Sequence, residues 1–175
     1  MKRLFLLRHA KAVAAELSAE DRERPLTERG HDDALLMGAY LNNAHGAPDL
    51  VLCSPSARTV ETWELISRGL DAVPKVRMVD ALYLAPWSVI LKLIRTVHEE
   101  TENLLVIGHN PGMENLAEVF ARKAKDDAEK KRANSLDEKF PTATLAVFTF
   151  EVEHWKNVAA GEGVLADFKR PKDVV

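Results

Sequence analysis

The sequence predicts an α/β fold, a three-layer sandwich in which a mostly parallel sheet is flanked by helices. Short apolar runs alternate along the chain with segments of helical periodicity. Leu104-Leu105-Val106-Ile107 has the unbroken apolarity of a strand buried on both faces. Three of the apolar runs also pass directly into distinctive polar residues, as strands feeding one ligand crevice would. At 175 residues, the chain is expected to form a single domain over residues 1–175 with a sizeable core.

The first strand is predicted over residues 3–7, Arg-Leu-Phe-Leu-Leu, and ends in Arg8-His9-Ala10-Lys11. A polar loop follows as far as Arg24-Pro25-Leu26. Thr27 then suits a helix N-cap, with Glu28 in the first turn to favour the dipole. This helix is expected to run to about Asn42, where Asn43, Gly46 and Pro48 break it. Leu50-Val51-Leu52-Cys53 is the second strand and leads into Ser54-Pro55-Ser56-Ala57-Arg58. Val60, Trp63, Ile66 and Leu70 mark the next helix, and residues 75–79 a third strand of weak alternation. Pro86 opens a helix with Ile90, Leu93, Ile94 and Val97 inward.

The strand at 104–107 feeds Gly108-His109-Asn110-Pro111-Gly112 and a helix carrying Leu116, Ala117, Phe120 and Ala124. The mixed-charge stretch 123–139 reads as a solvated helix end and surface loop. Residues 144–152 alternate as a strand near a sheet edge, and 164–168 as a last short strand.

Composition narrows the function classes. The chain is 46% hydrophobic, 29% charged and slightly acidic at net −3, which argues against a general nucleic-acid binder. Lys2-Arg3 before Leu4 imitates a signal peptide, but the apolar run is too short for one. No stretch approaches the ~20 apolar residues of a membrane span, so neither nucleic acid nor membrane is expected as a partner and a cytoplasmic location is. Cys53 is the sole cysteine, which leaves no intrachain disulfide or cysteine metal cluster.

Three strand-to-loop junctions carry the chemistry: Arg8-His9, Ser54 with Arg58, and Gly108-His109-Asn110. Ligands of an open parallel sheet gather beyond the carboxyl ends of its strands, so one crevice can hold all three sets. A neutral imidazole is a competent nucleophile, and two arginines clamp phosphoryl oxygens in bidentate fashion. The pattern therefore predicts phosphoryl transfer through a covalent phosphohistidine. His109, whose protonation state the sequence leaves open, and amides around residues 110–113 would add donors.

Leu7-Arg8-His9-Ala10, Ser54-Pro55 with Arg58, and Gly108-His109-Asn110-Pro111 resemble the histidine phosphatase superfamily, with its phosphoglycerate-mutase-like fold. Arg8-His9-Ala10-Lys11, the small size and Arg24-Pro25-Leu26-Thr27-Glu28-Arg29-Gly30 resemble its SixA-type phosphohistidine phosphatase branch. The resemblance runs in order over residues 2–150. It implies His9 as nucleophile, with Arg8, Arg58 and His109 completing the phosphate pocket, and no metal or organic cofactor.

Two departures stand out. Ala10 occupies a place where the superfamily usually has glycine. Mutases and many phosphomonoesterases also carry a glutamate acid just after the third strand, where Asp80 is the only carboxylate of Asp80-Ala81-Leu82-Tyr83-Leu84. An alkoxide leaving group gains much from a positioned acid, whereas imidazole leaves more readily. The reading is thus a phosphohistidine phosphatase acting on a phosphorelay-type or other protein. The alternatives are a small-molecule phosphomonoesterase, or a non-catalytic phosphate-binding module. The oligomeric state is left open.

The remaining candidates are less determined. Asp21 is a possible replacement acid. Lys11 either lines the rim or is simply solvated. Ser54 either touches phosphate or caps the following helix, with the cap reading favoured, and Asn110 is a further candidate phosphate contact. His31, His45, His98 and His154 read as ordinary, Trp63 and Trp87 as packing residues, and Trp155 as a cover for the sheet edge. Cysteine phosphatases place five residues between cysteine and arginine, whereas four separate Cys53 from Arg58, so Cys53 reads as a buried apolar residue.

Overall fold

The computed structural model describes residues 1–174. In chain order the main elements are β1 (Lys2–Arg8), α1 (Glu28–His45), β2 (Leu50–Cys53), α2 (Ala57–Ser67), β3 (Lys75–Met78) and α3 (Trp87–Arg95). β4 (Asn103–Gly108), α4 (Gly112–Phe120), α5 (Asp127–Glu138), β5 (Leu145–Phe150) and β6 (Val164–Lys169) follow. The sheet order is β3-β2-β4-β1-β5-β6. The four strands from β3 to β1 are parallel, and β5 and β6 complete the sheet antiparallel.

The period-two alternation of the central strands divides the interior into two cores. Leu4 and Leu6 of β1, with Leu104 and Val106 of β4, face α3 and α4 through Ile90, Ile94, Leu116 and Phe120. Phe5 and Leu7, with Leu105 and Ile107, face α1 and α2 through Met37, Leu41, Trp63 and Ile66. This is the three-layer, mostly parallel arrangement expected of the sequence. Thr27 caps α1 as predicted, its hydroxyl accepting from the Gly30 amide at 3.1 Å. Gly30 also lets α1 lie against the loop after β1, since a Cβ there would sit 2.2 Å from the Lys11 carbonyl oxygen.

Several expectations are corrected. The charged stretch 123–139 contains the twelve-residue helix α5, whose N-cap Asp126 accepts from the Glu129 amide at 2.8 Å. Glu129 is drawn inward by Arg122 at 2.6 Å, and Leu136 packs into the core. β5 does lie near the sheet edge, one strand in from it, because β6 pairs along its outer side and takes the edge itself. Trp155 does not cover that edge. It is fully buried in the core, and its indole N–H donates to the Thr101 carbonyl at 2.7 Å. Trp87 is more than a third exposed, whereas Trp63 is buried as expected. Among the described residues no helix is long and apolar enough to cross a membrane.

Candidate active site

Pairing register brings the predicted residues together. Arg8 lies beside Gly108 and Cys53 beside Ile107, so the segments following β1, β4 and β2 leave the sheet at one edge. They enclose a cavity of about 310 Å³ whose lining includes Arg8, His9, Lys11, Arg58, His109 and Asn110. A larger groove of about 770 Å³ lies at the opposite, amino end of the strands, among Asp49, Lys75 and His98, and contains none of the predicted site residues. Thr62 of α2 ties the loops together, accepting from the Ala10 amide at 3.0 Å and donating to the Arg58 carbonyl at 2.6 Å. The methyl of Ala10 is buried in the core beneath this junction.

His9 is buried, and its Nδ1 lies 2.7 Å from the Ala10 carbonyl oxygen. A carbonyl only accepts, so Nδ1 carries the proton and Nε2 is left with its lone pair. Burial presses the His9 pKa down to about 4, reinforced by Arg58 and Arg8 against the opposing Ala10 carbonyl. The ring of His109 lies 5.4 Å from that of His9, centroid to centroid. Burial, then Arg58 and His9, press His109 down to about 3. Both rings are therefore neutral at neutral pH, so His109 is not an imidazolium. The Nε2 of His109 pairs with the Ser54 hydroxyl at 2.7 Å, while its buried Nδ1 has no partner among the described residues.

Arg58 is almost wholly buried. Its Nη1 donates to the Asp21 carbonyl at 2.8 Å and its Nη2 to the Asp21 carboxylate at 3.1 Å, while its buried Nε is unpartnered among the described residues. Arg8 donates through Nη1 to the Phe140 carbonyl at 3.0 Å, and its Nε too is buried without a partner. Asp21 also accepts from the Tyr83 hydroxyl and, at 3.0 Å, from Arg24 Nε. The Tyr83 hydroxyl, with Arg24 and Arg58 behind it, holds Asp21 down to about 2. A carboxylate in that state has no proton to give at neutral pH, the reverse of what the acid role considered for Asp21 requires.

The other candidates are placed as follows. Lys11 lines the cavity with an exposed side chain. Ser54 is not the cap of α2. Ser56 holds that place, and Ser54 supports His109 instead. Asn110 lines the cavity, but its amide donates to the Phe140 carbonyl at 2.9 Å and its oxygen accepts from the Glu114 amide at 3.3 Å. The Met113 amide, read as a phosphate donor, is used by the His109 carbonyl at 3.0 Å. Asp80 is exposed and paired with Arg22 at 3.1 Å, outside the cavity lining. Burial pushes the Cys53 thiol up to about 12, which leaves it inert. Among the described residues, no group of three or more His, Cys, Asp or Glu side chains is arranged to hold a metal ion.

Tyr83, Leu84 and Thr142 complete the surroundings without having been singled out. Tyr83 stands edge-on to His109 at 5.5 Å. Leu84 lines the cavity from a left-handed backbone conformation (φ 50°). For Tyr83 and Leu84 the available signal is the segment 80–84, which draws attention to the acid it lacks rather than to its tyrosine, and Thr142 carries no such signal.

A pH dependence follows. In an NMR titration, the His9 ring is expected to hold its neutral signal from pH 7 to 5.5 and to change only towards pH 4; a midpoint near 6.5 would contradict the neutral ring. Between the folded value near 4 and the unfolded value near 6.5, the unfolded chain binds the additional proton. This contribution to stability is complete above pH 6.5 and is lost as pH falls towards 4.

The fold is phosphoglycerate-mutase-like, and the family match places the chain in the class of histidine phosphatases. The chain belongs to the histidine phosphatase superfamily (branch 1), whose profile matches residues 4–125, and it is of the SixA type. A structure from Nakamurella multipartitia, provisionally named phosphohistidine phosphatase SixA, has a TM-score of 0.83 at 28% identity, covering 97% of this chain and 96% of that one. One of the same provisional name from Agrobacterium tumefaciens has a TM-score of 0.79 at 29% identity, covering 97% and 98%. An uncharacterized Mycobacterium tuberculosis protein, Rv1276c, is 36% identical over 166 residues, 95% of this chain and all of that protein. The fold and family implied by the motifs are thereby borne out.

Proposed function

We propose that the protein hydrolyses phosphohistidine on a protein substrate, through a covalent phosphohistidine on His9. One observation carries the choice of leaving group. Among the described residues Asp21 is the only carboxylate lining the cavity, and it is held ionised by Tyr83, Arg24 and Arg58. A departing alkoxide would find no carboxylic acid there, whereas an imidazole leaves without strong protonation. The provisional names of the SixA structures support the same substrate class.

In the first step the Nε2 lone pair of His9 forms a bond to phosphorus as the substrate's N–P bond breaks. The released imidazole keeps that electron pair or takes a proton from solvent. Arg8 and Arg58 turn guanidinium N–H groups towards the phosphoryl oxygens, where charge spreads in the transition state. If Ser54 donates to Nε2 of His109, then Nδ1 bears the proton and a neutral His109 donates to a third oxygen. In the second step water attacks phosphorus and the His9 N–P bond breaks. The proton on Nδ1, held at the Ala10 carbonyl, makes the departing ring a good leaving group. Inorganic phosphate is released and a water proton passes to phosphate or solvent.

Side-by-side turnover of a phosphohistidine protein and a panel of alkyl phosphates tests the reading. Phosphohistidine is expected to be preferred in kcat/KM by at least about a hundredfold, the lower range of what a general acid supplies. A strong preference for alkyl esters would replace it with a small-molecule phosphomonoesterase.

A further inference from the structure

Beside the phosphoryl cavity runs a second one of about 440 Å³, lined by Arg8, Lys11, Arg29 and Lys139 against the single carboxylate Glu114. The two share Arg8, Lys11, Asn110 and Thr142, so they form one continuous trough. Beyond Thr142 the trough continues past Arg170 to Lys172, where Asp33 and Glu138 also line it and Arg170 is paired with Glu138 and Asp173. The excess of cations around Arg8, Lys11, Arg29 and Lys139 belongs to a chain whose net charge is −3, so it is a local concentration rather than a reflection of composition.

The fold gains little from these cations. Lys11 and Lys139 form no ion pair among the described residues, and Arg29 reaches Asp33 only at 3.7 Å. Arg29 also stands in the first turn of α1, where a cation opposes the helix dipole. Glu114 accepts from the Phe140 amide at 3.2 Å and offsets Arg8, and Asp33 offsets part of Arg29 and Lys11, so cations remain in excess along the trough. Arg8 and Arg58 already answer the phosphoryl group, so the others imply negative charge on the substrate beyond it. The adjoining cavity, at about 440 Å³, exceeds the phosphoryl pocket of about 310 Å³ and leads on to further open space. A compact second phosphate needs no such length, whereas a chain of side-chain carboxylates does.

We infer that the trough formed by Lys11, Arg29 and Lys139 binds an acidic segment flanking the phosphohistidine of the protein substrate. This rests on the phosphohistidine reading above and adds the feature by which the substrate is chosen. The interaction is between exposed charges, so it selects through attraction that salt screens.

The test uses two phosphohistidine peptides, one flanked by Asp and Glu and one by Ser and Gln, with the wild type and an Arg29→Ala/Lys139→Ala double variant. The wild type is expected to favour the acidic peptide about tenfold in kcat/KM, the size of two or three exposed ion pairs acting together. The ratio should fall to about two in the double variant and towards one in high salt. Equal turnover of both peptides by wild type, or a preference that survives the double substitution, would overturn the acidic-flank inference alone. If neither peptide is turned over while alkyl phosphates are, it is the phosphohistidine reading that fails. A small bisphosphate preferred over both peptides, with that preference lost in the double variant, would put a second phosphate in the trough and also overturn the inference.

Discussion

Replacing His9 with alanine is expected to lower turnover by at least about 10⁴-fold and to abolish acid-labile phosphate on the protein. His9 alone combines a lone pair directed by its hydrogen bond with burial that keeps the ring neutral. Cys53 is held as an inert thiol, and the Ser54 hydroxyl is engaged by His109. The one competitor is His109, whose Nδ1 is buried without a partner among the described residues. Labelling the wild type with a phosphohistidine substrate, quenching in alkali and mapping the phosphopeptide decides between them. Label on the peptide containing His9, absent from the variant, is the expected result. Label that persists at His109, or turnover unchanged in His9→Ala, would remove the proposed mechanism. Circular dichroism and a denaturant midpoint close to wild type would show that the loss is chemical, since the substitution shortens one side chain at the pocket wall.

How much of this was legible in the sequence depended on the range of the interaction involved. β2 was read to its bounds because four apolar residues sit between Asp49 and the polar turn at Ser54, a purely local pattern. Arg8, His9, Arg58 and His109 were readable for the same reason, each lying at the end of a recognisable parallel strand or in the turn and helix start that follow it. The cap reading was favoured for Ser54 because its actual partner, His109, is fifty-five residues away, while the true cap, Ser56, is bonded only three residues on. Asp21 was considered as an acid because nothing nearby in sequence reveals Arg58 and Tyr83, which meet it from thirty-seven and sixty-two residues away. The inner position of β5 likewise depends on β6 folding back along it. α5 is the exception. Its signal was local, an Asp126-to-Glu129 N-terminal pattern, and was hidden by the density of charge around it.

Arg58 is where the pocket's electrostatics converge, and Arg58→Ala is expected to cost about 10³-fold in kcat/KM, within the range for removing an arginine from a phosphoryl-transfer site. Its fork is already divided, with Nη1 and Nη2 holding the Asp21 carbonyl and carboxylate and Nε left unpartnered among the described residues. Lysine supplies one ammonium in place of that planar set and cannot both anchor to Asp21 and face a phosphoryl oxygen. Arg58→Lys should therefore remain well below wild type, by about a hundredfold, although its charge is conserved. Arg58 also helps to lower the pKa of both His9 and His109, and it is the largest charge acting on each. In Arg58→Ala both rings should titrate at higher pH than in wild type, so the acid limb of activity moves up while the plateau falls. A purely structural arginine would lower the denaturant midpoint without moving that limb. A folded Arg58→Ala protein within tenfold of wild type, with the limb unmoved, would show that the phosphoryl charge is met elsewhere in the pocket.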